Sequence, residues 1–398
     1  MELLQPEVKP YAWGSRHAIA ELQGRPVPSA GPEAELWMGA HPSAPAGLRR
    51  DGPPTTLEAV IAADPPGELG PASVARFGPR LPFLLKVLSA ERALSIQVHP
   101  SRAQAETGFR AENARGLPPG DPARNYVDDW PKPELLCALT PFEVLAGLRP
   151  AADAARLLRA LGVDHLQPLA AELDRAPGAR AGALGSILEW PESGRAELVG
   201  DVLAACARLA SGDGPYAGAC AAAVRAGADH PGDLGVVAML LMRHTLLDPG
   251  QAVFMPAGGL HDYLRGTGIE VLANSDNVIR AGLTGKHIDV PELLKLLDPD
   301  VAVPVLAPRQ VSDGISVYET PAPEFRLYRL DLSGERLVLP GTGPRILLCT
   351  EGRAVLRGQS GEEVALGRGE SCFVSAADRA VTGAGPARAF LAGTGELS

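Results

Sequence analysis

Ser95-Ile96-Gln97-Val98-His99-Pro100 is the stretch from which the fold is read outward. Polar and apolar residues alternate, the period of a strand with two unlike faces. Gln97 and His99 stand at i and i+2, so both side chains point to one face. Between Ile96 and Val98, that face is expected to be the interior of a small barrel. A neutral imidazole and an amide oxygen are both acceptable zinc ligands, the amide being uncommon. Taken alone, the pair describes a core histidine beside a satisfied amide better than a metal site.

Leu84-Leu85-Lys86-Val87-Leu88 reads as a second strand, with turn residues around it. Helices are expected near Thr56–Ile61 and Ser101–Asn113, with Ser101 as N-cap. Lys132-Pro133-Glu134-Leu135-Leu136 sets a carboxylate at the start of an apolar strand, and Pro131 and Pro133 stiffen the backbone there. Such a glutamate is ordinarily a solvated strand end. From Pro150 to Leu247 the texture changes to Ala and Leu at helical spacing, as in Leu157, Leu158 and Leu161. That block is expected to be all helical. Its His165, His230 and His244 have no partners at ligand spacing. Strand texture returns after Asp248-Pro249-Gly250, in Ala252–Met255 and Ile269–Ala273, and Pro291 opens a helix near Val290–Leu297. Short strands and a tight turn at Gly352 then suit a sandwich or jelly roll over residues 300–398.

The stretch from Met255 to His287 is the densest in polar groups. His261 follows a Pro/Gly turn after a strand, a common place for a metal ligand in a β-barrel. Asn274, Ser275, Asp276, Asn277 and Arg280 lie between apolar strands. Burying so many polar groups is costly unless they serve a site or a turn. By itself the stretch reads as either.

The 398 residues suit two or three domains, and a hydrophobic fraction of 45% supplies a core. No apolar run approaches the roughly 18 residues of a bilayer span. The first residues lack the basic and apolar regions of a signal peptide. Five scattered cysteines (Cys137, Cys206, Cys220, Cys349, Cys372) argue against a disulfide framework and for the cytoplasm. The net charge of −10, without a basic stripe, disfavours nucleic acid. An anionic ligand therefore needs a local cluster of Lys and Arg.

Taken together, these segments resemble the type I, zinc-dependent mannose-6-phosphate isomerase family. The resemblance is carried by Tyr11–Gly14, Glu35–Pro42, Pro82–Leu88, Ser95–Pro100, Lys132–Glu134, Ala138–Thr140 and Ala273–Thr284, in one order. It implies a mainly β chain with an inserted helical domain: a cupin-type jelly-roll catalytic domain over 1–149 and 248–299, helices over 150–247, and a second jelly roll over 300–398. It implies interconversion of mannose 6-phosphate and fructose 6-phosphate. It implies one Zn²⁺ per chain on Gln97, His99, Glu134 and His261, with Arg280 catalytic. Lys86, Lys286 and Ser95 are the expected phosphate contacts, with Lys86 beside Ser95 on a neighbouring strand. Trp13 and Tyr263 would wall the pocket, and Glu35, Lys132 and Asp276 would meet the sugar. Lys132, a carboxylate or zinc-bound water remain alternatives for the base. The expected partner is a small sugar phosphate, with no nucleic acid and no membrane, and the chain is expected to be a cytoplasmic monomer. Weighed beside this reading are a non-catalytic sugar-phosphate-binding regulator and a cupin oxygenase on Fe(II). The chain departs from the family at Pro131, where many members have His, at Asp262 in place of Ala, and at Gly285 in place of Pro. The last two are expected to alter loop stiffness and local charge.

Overall fold

Phe83–Ala90 is buried along its whole length, so both faces of this strand are covered and its sequence is a nearly continuous apolar run. The computed structural model describes residues 1–49 and 53–395. Residues 396–398, the end of the expected C-terminal domain, lie outside the described residues. The strands that build the site are β1 (Glu35–Met38), β2 (Phe83–Ala90), β3 (Ile96–Val98), β4 (Glu134–Ala138), β5 (Phe142–Leu148), β6 (Met242–Leu247), β7 (Ala252–Met255), β8 (His261–Ala273) and β9 (Ile279–Gly282).

The pivot is β8, which belongs to two sheets. Its second half, Gly266–Ala273, pairs antiparallel with β2, and Gly268–Leu272 also pairs with β4. Its first half pairs with β5, and His261 also pairs with Gln97 of β3. The register slips between Tyr263 and Arg265, and Gly266 follows at φ +139°. A Cβ at Gly266 would meet the Phe142 ring at 2.7 Å and the Pro141 carbonyl oxygen at 2.8 Å. Glycine is therefore what lets the strand pass from one sheet to the other. β2 and β4 precede the helical block and β8 follows it, so one sheet is woven from both flanks.

Helices fill residues 151–241, but Met242–Leu247 departs from the expected texture. It is a strand paired with β5. Ala/Leu spacing cannot tell a helix from a short strand when a neighbouring backbone offers its hydrogen bonds. His244, read as having no partner at ligand spacing, takes a structural role here: its Nε2 lies 2.7 Å from Glu143 of β5. Arg225, on the helix Ala217–Asp229, pairs with the same carboxylate at 2.5 Å. Burial would push Glu143 up, but the hydrogen bond from His244 and the charge of Arg225 hold it below the usual glutamate value of 4.5. A depressed pKa contributes stability above the unfolded value and loses it as pH falls through the folded one. Glu143→Gln is therefore expected to cost about 1 kcal/mol at pH 7 and less at an acidic pH below the usual glutamate value. Thermal melts of both proteins at the two pH values measure the difference.

The expected helix caps are present. Ser101 forms a full capping box with Gln104, and Asp289 caps the helix Val290–Leu296 ahead of Pro291. In the C-terminal region Gly352 is not a simple turn. It lies inside the long strand Arg345–Arg357 at φ +72°, where a Cβ would stand 1.8 Å from the Pro386 carbonyl oxygen. The first strand, Glu2–Gln5, pairs with Ser371–Val374, so the N-terminus is stitched into the C-terminal sheet. All five cysteines are free and buried. Among the described residues, no helix is long and apolar enough to cross a membrane.

Candidate active site

Strand register brings distant residues into one row. Gln97 of β3 is paired with His261 of β8 on one side and with Arg280 of β9 on the other. Directly opposed residues share a face, with Cβ atoms roughly 5 Å apart. His99 and Glu134 converge on His261 of this row, with one ligand atom from each within 4.8 Å of the others. Glu134 Oε2 lies 3.3 Å from His99 Nε2, and Oε1 lies 2.8 Å from His261 Nε2.

This cluster fits a zinc ion by three criteria. Both Nε2 atoms are buried and lack a hydrogen-bond partner, a costly arrangement unless another group binds them. Each ring is oriented by its other nitrogen. His99 Nδ1 donates to the Asn277 carbonyl oxygen at 2.7 Å, and His261 Nδ1 to that of Gly259 at 3.0 Å. That is the usual arrangement behind a metal-bound histidine. Four ligands around zinc at about 2.1 Å would stand about 3.4 Å apart, inside the range of 2.8 to 4.8 Å seen for these three. The protonation states agree. Burial, and then the charge of Lys132, lower His99 to about 4, so its ring is neutral. Burial would raise Glu134, but His261 and His99 beside it hold it well below the carboxylate range.

The polar run after β8 divides between site and scaffold. Asn277 is fully buried and bonds the backbone of Val127, Asp128 and Trp130. Ser275 Oγ donates to Asp128 Oδ1 at 2.8 Å. These two pin the loop that delivers Lys132 and Glu134. Asp276 turns the other way, into a cavity.

That cavity encloses about 450 Å³, room for a sugar phosphate. Trp13, Glu35, Lys86, Ser95, Gln97, Lys132, Glu134, Tyr263, Asp276, Arg280 and Lys286 line it, while His99 and His261 lie behind its wall. Trp13 stacks on Tyr11 with ring centroids 5.7 Å apart, and Tyr263 donates its hydroxyl to Glu134 Oε1 at 2.9 Å. Lys86 and Ser95 line the same cavity, but their strands are not paired neighbours as expected. β2 and β3 both border β8, but in different sheets. Lys86 is instead saturated, 3.4 Å from Glu35 and 3.2 Å from Glu270, with the Trp37 ring at 4.8 Å. Burial raises Glu270 to about 7 against the pull of Lys86.

Arg280 and Lys286 contrast with Lys86. Neither makes an ion pair among the described residues. Burial lowers the pKa of both, and Arg280 lowers that of Lys286 further. Two neighbouring cations without an ion pair, in a chain of net charge −10, are chemically suited to meet an anion.

The sequence reading passed over several pocket residues. Glu270, Trp37 and His41 sit inside quoted motifs, and their strand period carried a signal. Asp229 and His230 come from the helical block, and both line the cavity. No local pattern marks them, because only the packing of that block brings them to the cavity. Asp262 is not in a loop. It is buried in β8, near the backbone N–H groups of Leu94 and Tyr263, but with both oxygens lacking a hydrogen-bond partner. Burial pushes its carboxyl well above the usual range. Gly285 lies at the cavity rim with open space where a Cβ would stand.

The family model of the phosphomannose isomerase type I catalytic domain matches residues 1–151. Mannose-6-phosphate isomerase of Escherichia coli (strain K12) is 38% identical over 402 residues, covering 98% of each chain. The enzyme of that name from Rattus norvegicus is 32% identical, covering 93% of this chain and 92% of its own. A zinc-bound mannose 6-phosphate isomerase superposes with a TM-score of 0.88 at 34% identity over 99% of both chains. A single-site mutant of phosphomannose isomerase from Salmonella typhimurium does so with a TM-score of 0.91 at 35% identity, over 100% of both. Sequence and sheet-rich fold thus agree from end to end, and the chain belongs to the type I phosphomannose isomerase family.

Proposed function

We infer that the cavity interconverts D-mannose 6-phosphate and D-fructose 6-phosphate with one zinc ion per chain. The observation that carries this is the pair of unpaired cations, Arg280 and Lys286, sharing one cavity with the wall that hides His99, Glu134 and His261. A phosphate and a polarised sugar carbonyl need those two features side by side. The same two features disfavour a cupin oxygenase, which has no use for the cations. A regulator would have no use for the buried ligand set.

Gln97, His99, Glu134 and His261 would hold the zinc, which as a Lewis acid polarises a sugar oxygen. The isomerisation moves a proton from C2 to C1 through an enediolate. Arg280 stays charged and cannot be the base. Opposite Gln97, it stabilises the negative charge that develops on the C1–C2 oxygens. Lys286, with Ser95, anchors the phosphate. Lys86 is already neutralised by Glu35 and Glu270, so it orders the pocket floor instead. Lys132 and the pocket carboxylates are the groups available to carry the proton. Trp13 and Tyr263 wall the sugar. We read the scaffold as a cupin-type jelly roll over 1–149 and 248–299, a helical insertion over 150–247 and a second jelly roll over 300–398. The second jelly roll has no histidine after His287 and so no second histidine metal site.

The test is a coupled assay for fructose 6-phosphate formed from mannose 6-phosphate. Activity is expected to vanish on chelation and to return with added zinc. A zinc-loaded protein that forms no fructose 6-phosphate would overturn this function.

A further inference from the structure

Asp276 reaches into the cavity, and a histidine that the reaction so far leaves idle stands against it. His41 is buried and meets the Trp37 ring edge-on at 4.9 Å. Its Nδ1 accepts a hydrogen bond from the backbone N–H of Ser43 at 3.2 Å, with Ser43 Oγ at 2.9 Å. A backbone N–H can only donate, so Nδ1 is the bare nitrogen and the neutral ring carries its proton on Nε2. Nε2 faces Asp276 Oδ1 at 3.3 Å. The backbone of Asp276 is held as well, its N–H donating to Asp128 Oδ2 at 2.9 Å. Nothing among the described residues bonds Oδ2, and the side chain is 45% exposed at the cavity wall. The carboxylate is therefore clamped through one oxygen and open through the other.

We propose that His41 is a positioning residue of this isomerase: it holds Asp276 so that the free oxygen accepts a hydrogen bond from a hydroxyl of the bound sugar. The proposal rests on the isomerase reading of the cavity. An unclamped aspartate on a turn samples several rotamers, and fixing one in advance removes that entropy from the binding and reaction steps. A histidine that merely filled space beside Trp37 would not need its tautomer fixed by Ser43. Burial would push the Asp276 carboxyl up, but the His41 hydrogen bond and the charges of Lys132 and Lys86 hold it below its usual range, so it is an acceptor.

Two conservative variants separate positioning from packing. In His41→Gln the longer amide keeps a donor within reach of Asp276. In His41→Asn the shorter amide accepts from Ser43 but falls short of Asp276. His41→Asn is expected to lower kcat/KM on the order of tenfold to a hundredfold at unchanged zinc content, and His41→Gln to retain most of it. In an Asp276→Ala background, His41→Asn should cost nothing further, because the carboxylate that His41 holds is already gone. Equal kinetics for His41→Asn and the parent, or losses that multiply in the double variant, would overturn the proposal. A parent protein that forms no fructose 6-phosphate would instead overturn the isomerase reading, and this inference with it.

Discussion

His261→Ala is expected to lose its zinc and its turnover together. The imidazole enters the cluster from the first residue of β8, where pairing with Gln97 and with Ala146 fixes the backbone on both sides. Its Nδ1 is committed to Gly259, so Nε2 has one direction to face, towards Glu134. The adjacent Asp262 carboxylate lies on the opposite face of the strand and offers no replacement ligand. Even residues that only support a zinc ligand cost 10- to 100-fold in metal affinity when removed, so losing a ligand is expected to cost more than about 100-fold. The measurement is metal content by elemental analysis beside the coupled assay, on protein whose melting curve shows it folded. A His261→Ala protein with one zinc per chain and full activity would remove His261 from the ligand set, and with it the proposed zinc site.

The second large effect is at Arg280. If this guanidinium meets charge that exists only as the enediolate forms, Arg280→Ala should lower kcat on the order of 10²- to 10³-fold and leave KM little changed. Arg280→Lys should recover little, because a point charge does not reproduce a planar fork set against Gln97 across the strand pair. Lys286→Ala should behave in the opposite way, raising KM for the phosphorylated sugar with a smaller change in kcat. The two cations are close enough for one to lower the pKa of the other, so the split between kcat and KM is what tells anchor from catalyst. Steady-state kinetics of the three variants, each checked for zinc, decide it. Weaker binding at near-normal turnover in Arg280→Ala would make Arg280 a second phosphate anchor.

Features governed by the nearest residues were legible in the chain alone. Alternation at 95–100 marked a strand, Ser101 and Pro291 marked helix starts, and the order of the motifs marked the family. These signals are local because strand period and helix capping are set within a few residues. The register of β8 was not legible. It sets Gln97 between His261 and Arg280, and Glu270 opposite Lys86, and so gives the cavity lysine two carboxylate partners. The strand at Met242–Leu247, the arrival of Asp229 and His230 at the cavity, and the seating of His41 against Asp276 were equally hidden. Each depends on which distant backbone supplies hydrogen bonds and which buried charge finds a partner. Those choices are made across the sheets and the helical block, where no sequence neighbour of the residue concerned takes part.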